Sequence, residues 1–66
     1  MFNGEKLESV LKERGLSESY LANEVGVSRM YISYLVRGLK QPSLDAHIRI
    51  CKALGLSTDE LIKLAK

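Results

Sequence analysis

Within the 66-residue chain, the stretch Glu18 to Arg37, ESYLANEVGVSRMYISYLVR, admits few folds. Leu21, Ala22 and Val25 fall on one face of a helix. Ile32 and Leu35, with Val36 beside them, fall on one face of another. Between the two lies Val25-Gly26-Val27-Ser28. Gly26 suits the left-handed residue that stops the first helix and turns the chain sharply, a conformation costly for any residue with a Cβ. Ser28 then supplies the N-cap of the second. Ala22 is small enough to let the second helix cross close to the first. The expectation is two short helices meeting at a glycine corner.

Around this pair the remaining signals are also helical. Asn3 caps a first helix running to about Arg14, with Leu7, Val10 and Leu11 turned inward and Gly15 ending it. Glu5 and Glu8 near its start, with Lys12 and Arg14 near its end, match the helix dipole. Ser17 caps the second helix, and Gly38 closes the third. Pro42 forces Gln41 out of helical geometry, and Ser43 caps a fourth helix. On that helix Leu44, His47, Ile50, Cys51 and Leu54 are predicted to form one broad inward face. Gly55 ends it, and Ser57 with Glu60 forms the capping box of a final helix holding Leu61, Ile62 and Leu64. Phe2 is free either to fold over the core or to reach a partner. The sum is one all-α domain over residues 1–66, five helices and no strand.

Size and composition narrow the function. A domain of this length buries only about 60% of the surface of its unfolded chain, so it packs efficiently or associates. One cysteine allows neither an internal disulfide nor a cysteine-cluster metal site. His47 has no second ligand at metal spacing and reads as a satisfied, half-buried side chain. Cys51 reads as a small buried hydrophobe. There is no glycine-rich phosphate loop and no convincing Ser/His/Asp arrangement, so neither an enzyme nor a cofactor is expected. No apolar run is long enough for a membrane, and Met1 to Gly15 lacks a signal-peptide pattern, so a soluble cytoplasmic protein fits.

Charge is unevenly placed. The net charge is +2, yet Val25 to Leu44 holds Arg29, Arg37 and Lys40 and no acid, giving +3. The remainder, with seven basic and eight acidic residues, sums to −1. A basic segment centred on one short helix is the electrostatic footprint of a nucleic-acid binder.

The ordered set Leu21, Ala22, Val25, Gly26, Val27, Ile32 and Leu35 resembles the core of helix-turn-helix DNA-binding domains. The longer pattern LSESYLANEVGVSRMYISYLVRGLKQPSLDAHIRICKALGLSTDEL is similar to the Cro/C1-type family of phage and bacterial repressors, from about Leu7 to Leu64. That resemblance implies a compact lambda-repressor-like domain and sequence-specific binding of a double-stranded DNA operator, repressor-like in transcription. The recognition helix, about residues 28–37, would lie in the major groove. With Ser28 as cap, Arg29, Met30, Ser33 and Tyr34 lie opposite Ile32 or flank it at the exposed start, and the resemblance makes them the base-contacting set. Arg29 suits the O6 and N7 acceptors of guanine, a match worth about 1–3 kcal/mol of discrimination. Met30 suits a thymine methyl, while Ser33 and Tyr34 can hydrogen-bond a base edge or a phosphate.

For phosphate contacts the expected set is Ser17, Glu18, Asn23, Tyr31, Arg37, Lys40 and Gln41, with Arg37 foremost. Three positions depart from the family. Glu18 stands where glutamine is common, and a carboxylate cannot donate to phosphate; it is placed instead to pair with Arg29 or to act as a helix-start acid. Val36 stands where glutamate is frequent, and is expected in the core. Tyr20 replaces a polar residue on the outer face of the second helix.

One small domain reads few base pairs, so a homodimer reading two half-sites about 34–36 Å apart is expected. Leu56, Leu61, Ile62 and Leu64 are its candidate interface, with closure of the monomer core an equal alternative for them. No small-molecule effector is expected, since the chain has no room for a domain to bind one. Two alternatives stand beside this reading. One is an antitoxin or restriction–modification controller that still binds DNA. The other is a protein-interaction module that kept the fold and lost DNA binding, favoured by Glu18 and the modest net charge.

Overall fold

Four side-chain caps set where the helices of this chain begin. In a computed structural model, which describes residues 1–63, these are α1 Gly4–Glu13, α2 Glu18–Val25, α3 Arg29–Val36 and α4 Leu44–Leu54. Asn3 Oδ1 accepts from the Lys6 amide at 3.0 Å, and Ser17 Oγ from the Tyr20 amide at 3.0 Å. Ser28 Oγ accepts from Tyr31 at 3.1 Å and Ser43 Oγ from Ala46 at 3.2 Å. Each bond satisfies an amide that the helix itself leaves unpaired, and each is worth about 1 kcal/mol. At the corner between α2 and α3, Gly26 adopts φ 85°, where a Cβ would be strained.

The fifth helix is corrected to a single 3-10 turn, Thr58–Leu61. Its capping residues behave as anticipated, the Ser57 amide donating to Glu60 Oε2 at 2.8 Å. Past Leu61 the backbone turns extended, and Ile62 makes an isolated antiparallel bridge with Phe2. The N-terminal segment causes the stop. Asn3 N donates to the Leu61 carbonyl and Lys63 N to the Met1 carbonyl, both at 2.7 Å, so these groups are unavailable to further helical turns. Leu64, expected on that helix, lies outside the described residues.

The core lies where all four helices meet, and Leu7, Leu21, Ile32, Leu35, Ile50 and Leu61 are sealed in it. Phe2 joins them, its ring edge-on to His47 at 5.5 Å. Val36 is buried, as its apolar character requires. For Leu61 the core alternative holds, and for Leu44 the expectation is overturned. Leu61 belongs to the core of the single chain, where its burial contributes about 1.5–3 kcal/mol, so it is not an exposed interface residue. Leu44 is 76% exposed. As the first residue of α4 it projects past the packed helices, and Ala46 completes the inward face instead.

Three contacts fix how α2 and α3 are held. α2 packs against α3, and Ala22, buried on α2, is small enough for close approach. The first turn of α1 crosses the end of α3 at Gly4, where a Cβ would meet the Val36 carbonyl oxygen at 2.7 Å. From α4, Arg49 Nη1 donates to the Val25 carbonyl at 3.4 Å, placing a cation at the negative end of α2.

Candidate nucleic-acid interface

The two helices that flank Gly26 present a shared surface. α3 buries Ile32, Leu35 and Val36, and its other side exposes a stripe running from Arg29 and Met30 through Tyr34 to Arg37. Met30 is 52% and Tyr34 39% exposed, while the Arg29 side chain is 61% exposed. Met30 and Tyr34 are four residues apart and so share one face. A thioether and a phenol beside two guanidiniums suit a surface that is covered by a ligand better than one left to water. Arg37 is the C-cap of α3 and stands exposed at the far end of the stripe.

Ser33 is corrected. It is 7% exposed, on the inner margin of α3 three residues before Val36, and its small side chain is covered there. It offers nothing to a base edge.

Glu18 and Arg29, the first residues of α2 and α3, approach each other at the mouth of the corner. Arg29 Nη1 lies 3.9 Å from Glu18 Oε1. The Glu18 carboxylate thus faces a cation in this structure, and being an acceptor only it has no proton to donate to the phosphate it was expected to contact. Ser17, just before it, is exposed; its Oγ serves as cap while its O–H remains free to donate.

Tyr31 on α3, Lys40 and Gln41 in the loop after it, and Asn23 on α2 are the other predicted contacts. Tyr31 is half-buried, its hydroxyl accepting from the Ser43 amide at 3.4 Å, and Lys40 Nζ stands 5.4 Å from its ring centroid. Lys40 is thus placed next to the start of α4 by a cation–π contact. Ser43 was legible in sequence only as a cap. Its closeness to Tyr31 spans twelve residues across a loop and follows no periodic signal. Gln41 Oε1 accepts from the Phe2 amide at 2.8 Å, which leaves its N–H groups as the part that can reach a phosphate. Asn23 is exposed on α2.

Two other singled-out residues, His47 and Cys51, are buried away from this surface, and a third, Tyr20, is open to solvent. His47 Nε2 lies 2.7 Å from the Thr58 carbonyl oxygen and is 9% exposed, a satisfied core imidazole. Cys51 is buried, and burial pushes its thiol above the ordinary range, helped by the charges of Glu60 and then Asp59. Tyr20 is 48% exposed on the outer side of α2. Among the described residues no helix is long and apolar enough to cross a membrane.

A family described as Helix-turn-helix matches residues 7–61. The control protein C.BamHI of Bacillus amyloliquefaciens is 37% identical over 60 residues, 89% of this chain and 74% of that one. Three longer regulators are matched over only 41% of their length. Among solved structures, the restriction-modification controller C.AhdI of Aeromonas hydrophila superposes with TM-score 0.84 at 30% identity, covering 89% of each chain. The P22 c2 repressor in complex with a synthetic operator superposes with TM-score 0.88 at 30% identity, covering 96% of each.

Proposed function

Since the chain belongs to the helix-turn-helix family, we propose that it binds double-stranded DNA as a sequence-specific, repressor-like transcriptional regulator. α3 enters the major groove. Arg29, Met30 and Tyr34 read base edges, with Arg29 on a guanine. Arg37, Lys40, Ser17, Asn23, the Tyr31 hydroxyl and the Gln41 amide hold the backbone on either side. The observation that carries this reading is the open stripe Arg29–Met30–Tyr34–Arg37, set in a segment from Val25 to Leu44 without a single acid.

A homodimer on two half-sites accompanies it. With Leu61 in the core and Leu64 outside the described residues, Ile62 and half-buried Leu56 are the described residues left from the expected interface, and Leu44 and Ile48 add exposed apolar surface on successive turns of α4. The role places the protein in the cytoplasm, at the nucleoid. Likeness to C.BamHI and C.AhdI favours, within the same role, a restriction–modification controller. Endonuclease and methyltransferase genes beside its own would support that refinement.

Selection of binding sites from random duplexes tests the function. A two-fold symmetric consensus, with a log–log salt slope of several units, is the expected outcome. Absence of measurable binding at low salt would instead favour a protein-interaction module.

A further inference from the structure

We propose that Glu18 is a specificity filter acting through Arg29: its carboxylate discourages the guanidinium from settling on phosphates and leaves a guanine as the favoured partner. This rests on the reading that α3 enters the groove. Arg29 sits at the first position of α3, where the helix dipole disfavours a cation and no acid shares its first turn. Its compensation comes instead from the start of α2, with Glu18 Oε1 at 3.9 Å. Both side chains reach solvent, Glu18 being 33% exposed, so an incoming duplex meets the pair and not a lone cation.

Two kinds of DNA acceptor respond differently to that pair. A phosphate is an anion, and to reach Arg29 it approaches a carboxylate that repels it. The O6 and N7 atoms of guanine are neutral acceptors that match the guanidinium fork, so Glu18 need not move away. A bidentate arginine on guanine discriminates by roughly 5- to 150-fold, whereas an exposed ion pair holds by no more than about fivefold. Guanine can therefore draw Arg29 into the groove against the pull of Glu18. The carboxylate oxygens, being acceptors only, also suit a cytosine N4 amino group nearby. The filter lowers sequence-independent affinity and spares the matched site.

The test compares wild type, Glu18→Gln and Glu18→Ala on an operator obtained by selection and on a random-sequence duplex, across a salt series. Both variants are expected to tighten random-duplex binding about three- to fivefold and to steepen its log–log slope by about one. Operator affinity should change less, so the operator-to-random ratio falls. Thermal unfolding of each variant separates this outcome from a folding defect, which would weaken both duplexes together. The filter is overturned if the ratio stays within about twofold of wild type. It is equally overturned if only Glu18→Gln tightens, because the gain would then belong to the new amide donor. Wild type that binds duplex while the variants do not differ from it refutes the filter alone. Wild type that binds no duplex refutes the underlying function as well.

Discussion

Gly4 passes so close to Val36 that a Cβ on the glycine would stand 2.7 Å from the Val36 carbonyl oxygen, and nearer still to that of Leu35. These are the last two residues of α3, so the start of α1 buttresses the end of the recognition helix. On an exposed helix, glycine to alanine gains about 1 kcal/mol from propensity. Here the clash is with backbone, which cannot rotate away. Gly4→Ala should therefore destabilise by about 1–3 kcal/mol or more, the range of overpacking. A lowered urea midpoint at unchanged slope checks it.

Arg29 and Arg37 share a charge, and the proposed function gives them different tasks. Arg29→Ala should relax preference at one base position, costing about 1–3 kcal/mol on the matched site and less elsewhere. Arg37→Ala should weaken all duplexes roughly alike and lower the salt slope by about one. Binding isotherms on the operator and a single-base variant distinguish the two patterns.

The helices themselves were legible in the sequence because their signals are local. Caps at Asn3, Ser17, Ser28 and Ser43 act within three residues, and the inward faces of α2 and α3 repeat at helical spacing. The exposure of Arg29, Met30 and Tyr34 followed from the same periodicity. What failed depended on contacts distant in sequence. The final helix was cut short by Asn3 and Met1, some sixty residues earlier in the chain, which bond the backbone at Leu61 and Lys63. Leu44 carries a core-like side chain, and only the edge of the packed body leaves it in solvent. Ser33 is polar, and period alone puts it near the boundary of buried and open surface; tight packing of α3 decides the side. Gly4 gives no turn signal, since its role is a close approach and its backbone is ordinary helix.

Leu61 and Ile62 are neighbours with opposite surroundings, the first fully buried and the second 41% exposed. Leu61→Ala should cost about 2–5 kcal/mol of stability through the cavity it leaves. Ile62→Asp should leave the monomer's stability nearly unchanged, since exposed substitutions shift it by about 0.5 kcal/mol or less. If the proposed dimer uses that surface, Ile62→Asp should shift sedimentation toward monomer and weaken operator binding at low protein concentration. An unchanged dimer would move the interface elsewhere, with Leu44 and Ile48 next to be tested.

Cys51 makes an alkaline prediction. Burial is the main cause of its raised thiol pKa, with the Glu60 and Asp59 charges adding to it. In the unfolded chain the thiol ionises from about pH 8.5. The folded pKa is the higher one, so the stability linked to this group is present below that pH. It is lost as pH rises toward the folded value, because only the unfolded state then gains from ionising. Cys51→Ser or Cys51→Ala should flatten this alkaline decline in urea midpoints measured between pH 8 and 10. In the native protein the thiol should resist alkylation, with labelling appearing as denaturant opens the core.

Ser57 controls the acid side. The Asp59 carboxyl is held below its ordinary range first by the Ser57 hydroxyl, which donates to Oδ1 at 2.7 Å, and then by its own backbone amide. For Glu60 the order differs: the Ser57 amide comes first, at 2.8 Å from Oε2, and the Ser57 hydroxyl second, at 3.1 Å. Ser57→Ala removes the hydroxyl and keeps the amide. Asp59 therefore loses its principal cause and should titrate distinctly higher, while Glu60 should rise less. Since both folded pKa values are depressed, the stability linked to these carboxylates is present above the ordinary carboxylate range. It is lost as pH falls through the folded values. Carboxyl carbon shifts followed by NMR from pH 7 to 2 would resolve the two residues separately, and equal rises in both would refute the assigned order of causes.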